Sequence, residues 1–184
     1  MRNSLTGLPD GLPIPIDDGS TAHLVGMRLP NIKLESTSGS LVGLMDIQDR
    51  LVIYVYPLTG RPEVPLPEGW DEIPGARGCT PQACDFRNHY QQLQQLNTAV
   101  LGLSSQTTDY QLELKKRLHL PFDLLSDHSF QLKAAINLPV FKVGELLFYK
   151  RLTLIAEQNV IKKVFYPVFP PNQNAIQVID WLNS

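Results

Sequence analysis

Residues 50–57 read Arg-Leu-Val-Ile-Tyr-Val-Tyr-Pro. From Leu51 to Tyr56 every side chain is aliphatic or aromatic, with no polar alternation, which is the pattern of a strand covered on both faces. Pro57 ends it, because proline has no N–H for the ladder. Upstream, Ile32–Thr37 and Ser40–Ile47 read as a hairpin turning at Ser38-Gly39. Downstream the pattern alternates. A helix follows Cys79 and runs to about Leu96, with Ala83, Phe86, Tyr90 and Leu93 on its buried stripe. Ala99–Ser105 reads as a strand, Thr107–Leu118 as a helix, Phe122–Ser126 as a short strand and Phe130–Asn137 as a short helix. Leu147–Ala156 reads as a long strand, and Val160–Val168 as its hairpin partner across Glu157-Gln158-Asn159. Asn172–Leu182 closes the chain as an amphipathic helix carrying Ile176, Val178, Ile179 and Leu182. Parallel neighbours need helical crossovers, so this order implies an α/β fold, a central mixed sheet with helices on both faces.

Two proline-rich stretches flank that frame. Residues 1–30 hold Pro9, Pro13, Pro15 and Pro30 with several glycines and show neither period, so they read as an extended N-terminal arm on a domain spanning 31–184. Residues 58–78 hold four prolines and four glycines. A loop of that length within a compact domain tends to be functional. This one delivers the chain to Cys79, and Trp70 within it either lines a pocket or pins the loop.

The chain has 184 residues, 43% hydrophobic and 18% charged, with a net charge of −2. That composition is globular, with no electrostatic reason to bind nucleic acid or an anionic membrane. The longest apolar run, Leu51–Leu58, is far short of a bilayer span, and the N-terminus has no apolar signal core. Two cysteines are too few for a secreted disulfide scaffold. A cytoplasmic protein is expected. There, a close cysteine pair is more often catalytic or metal-binding than structural. His23, His89, His119 and His128 stand at no recognisable ligand spacing, so no metal site is expected.

The cysteines fall in Gly78–Cys84, G-C-T-P-Q-A-C. Thr80-Pro81 reads as an N-cap followed by proline at the first helical position. Cys79 then sits at a helix N-terminus, where backbone N–H groups and the dipole favour an anion. A thiolate is the nucleophilic form of cysteine, and Arg77 nearby adds positive field. The bland alternative is a small buried hydrophobe. On one regular helix, residues five apart have Cα atoms about 8.6 Å apart, and a disulfide needs roughly 4.4–6.8 Å. A Cys79–Cys84 bridge would therefore require the first turn to unwind.

The strand ending in Y-V-Y-P, the segment G-C-T-P-Q-A-C-D-F-R and the later K-R-L-T-L-I together resemble a peroxiredoxin of the AhpC/TSA superfamily. The C-x4-C spacing resembles its bacterioferritin-comigratory, or Q-type, branch. The resemblance covers residues 28–183 and implies a thioredoxin-like fold and a thiol peroxidase working without a cofactor. It implies that Cys79 is the peroxidatic cysteine, Cys84 the resolving cysteine of an intramolecular disulfide, and Arg151 the strand arginine beside the thiolate. Gln82 matches the position whose side chain helps orient that arginine. A hydroperoxide would be the substrate and a thioredoxin- or glutaredoxin-type protein the reductant, with the chain a monomer or weak homodimer. By strand alternation Tyr149, Arg151, Thr153 and Ile155 share one face.

Two positions depart from the family pattern. The proline seven residues and the hydroxyl residue three residues before the peroxidatic cysteine are replaced by Glu72 and Ala76. Thr59, Thr80 or a backbone N–H are the groups available to contact peroxide instead. Two other activities compete with peroxidase turnover. A thiol–disulfide oxidoreductase predicts C-x-x-C, which the chain lacks. A redox sensor without turnover is favoured only by the missing hydroxyl.

Overall fold

The computed structural model describes residues 8–47 and 49–184; residues 1–7 of the expected arm lie outside the described residues. The run Arg50–Tyr56 forms β3 (Arg50–Val55), the centre of the molecule, with Leu51 to Val55 all buried. It pairs in parallel with β4 (Thr98–Ser104) on one side and antiparallel with β8 (Leu152–Glu157) on the other. Beyond β4 lie β5 (Leu124–Ser126), β1 (Lys33–Ser36) and β2 (Leu41–Gly43); beyond β8 lies β9 (Val160–Phe165). The seven-stranded sheet thus runs β2-β1-β5-β4-β3-β8-β9 and is mixed. The β8–β9 turn places Gln158 and Asn159 at positive φ, which fits the preference of two-residue hairpins for such turns.

Alternation along the strands builds two cores. Leu51, Ile53 and Val55 join Leu103, Leu125, Leu152 and Leu154 on one face, covered by α4 (Gln131–Ile136) and by Leu24 and Leu29 of the arm. Val52, Tyr54 and Tyr56 lie on the opposite face under α1 (Cys79–Asn88), α2 (Tyr90–Gln95), α3 (Thr108–Leu118) and α5 (Asn174–Leu182). Phe86 of α1 stacks on Tyr54 with ring centroids 4.6 Å apart, which seats the cysteine helix on the central strand.

Several elements differ from the sequence expectation. The helix after Cys79 breaks at His89, which has φ −105° and ψ 7°, and whose ring Nδ1 lies 2.9 Å from the Asp85 carbonyl. Thr80 is not the cap: Gly78 occupies that position at φ 107°, and helical geometry starts at Cys79 itself. Pro81 still lies in the first turn, where a missing N–H costs nothing. The long strand Leu147–Ala156 is two strands. Its first part, β7 (Leu146–Tyr149), pairs with β6 (Val140–Val143) in a separate hairpin, and the chain re-enters the sheet at Leu152. Tyr149 consequently faces the core containing Leu152 and Leu154, away from Thr153 and Ile155. In α5, Ile176 is exposed, and Ala175, Val178 and Leu182 form the buried stripe. Trp181 is only partly buried at the edge of that core.

Candidate active site

The proline-rich loop has a small core of its own. Trp70 packs edge-on against Phe148 at 5.0 Å and lies 5.8 Å from Phe141, so the loop is pinned to the β6–β7 hairpin. Ala76 and Phe148 are buried with it, and Leu58, Leu66 and Ile73 close the cluster. This fixes the backbone of residues 75–78 immediately before α1. Gly78 is required there twice over. Its φ of 107° disfavours any L side chain, and a Cβ would lie 2.4 Å from Pro171 Cγ and 2.8 Å from Leu8 Cδ2.

Cys79 is buried at the first residue of α1, under the end of β8. Arg151, also buried, reaches over from the residue just before β8 and donates from Nη2 to Cys79 Sγ at 3.0 Å. The same nitrogen donates to the Ala76 carbonyl at 3.0 Å and the Arg77 carbonyl at 3.2 Å, and Nε donates to the Gly75 carbonyl at 3.2 Å. Nη1 donates to Gln82 Oε1 at 2.6 Å. A cation and a helix N-terminus therefore converge on one sulfur, and both stabilise negative charge there. The Cys79 thiol has a weak alternative acceptor, the Ala76 carbonyl 3.7 Å away.

Cys84 lies five residues on in the same unbroken helix, half-buried, and both thiols are free. The helical spacing worked out above therefore applies to the folded molecule. Burial pushes the Cys84 thiol up, opposed by the positive charges of Arg87 and Arg117. Asp85, next to it, is also pushed up, chiefly by burial, although it accepts a 2.6 Å hydrogen bond from the Ala175 amide at the start of α5. Burial thus shifts two adjacent groups on α1 in the same direction while the helix is docked.

The structure brings Cys79, Gln82 and Arg151 into one hydrogen-bonded group and leaves Cys84 outside it. Arg77 donates from Nη1 to Asp71 Oδ1 at 2.9 Å, and the residue borders a cavity of about 20 Å³ beside Cys79 with Leu58, Trp70, Gly78, Thr80 and Pro81. Trp70 therefore both pins the loop and borders this cavity. Thr59 is committed elsewhere. Its amide and hydroxyl both donate to Gln106 Oε1, at 2.9 and 3.0 Å, while its neighbours Leu58 and Gly60 border the cavity. Thr80 is the hydroxyl-bearing residue among those that border the cavity. Arg151 also borders an apolar groove of about 340 Å³ lined by Ile14, Ile16, Ile73, Phe141 and Val168. Sequence reasoning missed the three carbonyls of residues 75–77, which carry no side-chain signature, and Asn174, which sits on a distant helix. Among the described residues no cluster of three or more His, Cys, Asp or Glu is arranged to hold a metal ion. Nor is any helix among them long and apolar enough to cross a membrane.

The strand order, with a cysteine opening the helix that follows the central strand, defines a thioredoxin-like protein. The chain belongs to the redoxin family, whose model matches residues 24–179. It is 30% identical over 161 residues to the chloroplastic peroxiredoxin Q of Oryza sativa subsp. japonica, covering 86% of this chain. It spans 66% of that relative's length. In fold it is similar to peroxidoxin BcpB of Mycobacterium tuberculosis, with a TM-score of 0.71 and 18% identity over 86% of this chain and 96% of that one. It is also similar to the Xanthomonas campestris bacterioferritin comigratory protein, with a TM-score of 0.67 and 18% identity over 94% and 97% of the two chains. The alkyl peroxide reduction activity of that protein was addressed with trapped intermediate and ligand complexes.

Proposed function

We propose that the chain is a thiol peroxidase that reduces hydrogen peroxide and alkyl hydroperoxides on Cys79. The observation that carries this reading is the 3.0 Å approach of Arg151 Nη2 to Cys79 Sγ at a helix N-terminus. The Cys79 thiolate attacks the terminal oxygen of the hydroperoxide. An S–O bond forms as the O–O bond breaks, sulfur loses two electrons, and the leaving oxygen takes a proton to depart as water or an alcohol. Arg151 stabilises the negative charge that moves from sulfur to the leaving oxygen. The cavity beside Cys79 admits the oxygen end of a substrate, and Thr80 is the hydroxyl-bearing residue in its lining.

The product is a sulfenic acid. Cys84 then attacks that sulfur, expels water and forms a disulfide within the chain. Both cysteines belong to one helix, so α1 unwinds in this step and releases the half-buried Cys84 from the burial that pushes its thiol up. A dithiol protein of thioredoxin or glutaredoxin type returns the pair to thiols. A reducing compartment such as the cytosol suits the free thiols, and the chain works as a monomer or weak homodimer with residues 31–184 as the catalytic domain.

Peroxide consumption coupled to thioredoxin and thioredoxin reductase tests this reading. Cys79→Ser is expected to abolish turnover, and Cys84→Ser to abolish turnover that depends on thioredoxin. Turnover that survives Cys79→Ser would overturn the assignment.

A further inference from the structure

Arg151 is held along one edge by backbone. The carbonyls of residues 75–77 take Nε and Nη2, and these cannot be altered by substitution. The far nitrogen, Nη1, has one acceptor, Gln82 Oε1. A glutamine amide has an acceptor end and a donor end of nearly the same shape, whereas a guanidinium only donates. Gln82 supports Arg151 in one of its two orientations alone. In that orientation Nε2 points away from Arg151, and Gln82 is fully buried, so Nε2 needs an acceptor inside the protein.

Asn174, the first residue of α5, supplies it. Its Oδ1 accepts from Gln82 Nε2 at 3.0 Å and from the Thr153 hydroxyl at 2.6 Å. Asn174 is itself fully buried, and its Nδ2 has no partner among the described residues. A buried unpartnered amide is destabilising. Its side chain does not cap α5 either: Asp85 does that through the Ala175 amide. Helix stability therefore gives no reason for an asparagine here, and the one thing it provides is a fixed carbonyl oxygen. Every bond in the chain has a defined direction, from Arg151 into Gln82, and from both Gln82 and Thr153 into Asn174.

We propose that Asn174 is a positioning residue for the peroxide reaction, fixing the Gln82 amide so that its oxygen holds the free end of the Arg151 guanidinium over Cys79. The inference rests on the reading of Cys79 as the reacting sulfur.

A double-mutant cycle tests it in a Cys84→Ser background, where Cys79 is the single thiol. Two rates are measured, oxidation by hydrogen peroxide and alkylation by iodoacetamide at pH 7. Asn174→Leu keeps the volume and removes the acceptor, and is expected to slow both reactions roughly 10-fold. Asn174→Asp retains the acceptor and is expected to stay within about 3-fold of the parent. In a Gln82→Leu background, Asn174→Leu is expected to add nothing, because the route runs through Gln82. Asn174→Ala repeats the comparison if leucine disturbs packing. Parental rates in folded Asn174→Leu, multiplying effects in the double variant, or failure of Asp to rescue would overturn the proposal. If alkylation follows this pattern while Cys79 does not react with peroxide, the peroxidase reading fails and the positioning role stands.

Discussion

Arg151 directs one planar guanidinium at five acceptors, the carbonyls of residues 75–77, Gln82 Oε1 and Cys79 Sγ. Lysine has three donors on a single nitrogen and cannot span them. Arg151→Lys is expected to lower the second-order rate with hydrogen peroxide by roughly 100-fold while the protein stays folded, a loss that stopped-flow kinetics would register. Cys84 contributes a pH dependence of definite sign. Burial raises its thiol pKa in the folded state, so the folded form favours the neutral thiol. Its contribution to stability is complete below the ordinary thiol value of 9.0 and is lost as pH rises through the raised one. Thermal melts between pH 8 and 10 should therefore show a steeper fall in Tm for the parent than for Cys84→Ala. Equal slopes would remove Cys84 from the account. The sequence named Cys79, Cys84, Gln82 and Arg151 because each carries a distinctive side chain in a distinctive segment. The carbonyls that hold Arg151 were illegible, since any residue supplies a carbonyl and only the loop's path aims it.

Helix α1 is both the scaffold of the site and the part that the proposed disulfide requires to move. It is docked by Phe86 on Tyr54, by Gln82 on Asn174 and by Asp85 on the Ala175 amide. Removing the last contact with Asp85→Ala leaves a buried amide without its acceptor, and should cost about 1–3 kcal/mol in urea unfolding while speeding disulfide formation. A slower disulfide step would show that docking does not restrain the helix. The entry to α1 is just as constrained. Gly78→Ala must place a side chain at positive φ and against Pro171 and Leu8, so a loss of more than about 1–2 kcal/mol is expected from the backbone conformation alone, before any overlap. Element boundaries were the least legible feature. The break at His89 has no signature in the apolar stripe, which continues through Tyr90 and Leu93 on the same core. The break between β7 and β8 arises because the hairpin packs on Trp70, and apolar alternation in Leu147–Ala156 reads the same with or without that break. Arg151 sits in the break itself, so its position beside Cys79 depends on an irregularity that periodicity hides.

At the scale of the molecule, the sheet carries the site at one end of its two central antiparallel neighbours, β3 and β8, and the N-terminal arm adds a further constraint. The arm lies against the cysteine loop at Leu8 and Pro15 and is tied down by the Asp18–Lys150 pair at 2.5 Å, one residue from Arg151. Hydrogen bonding to Lys150 holds the Asp18 carboxyl well below the usual carboxylate range. The α/β order and the central strand were readable because buried parallel strands leave continuous apolar runs. The arm's contacts were not, because a proline-rich segment with no period does not declare what it covers. The same long-range packing keeps the two sulfurs on one intact helix, and the central claim is that peroxide converts this state into a disulfide within a single chain. Intact mass of the reduced protein after one equivalent of hydrogen peroxide tests it most directly. A monomer lighter by about 2 Da is expected, for loss of two hydrogens, with Cys79 and Cys84 joined in one peptide. A stable gain of oxygen on Cys79, or a disulfide-linked dimer, would contradict it.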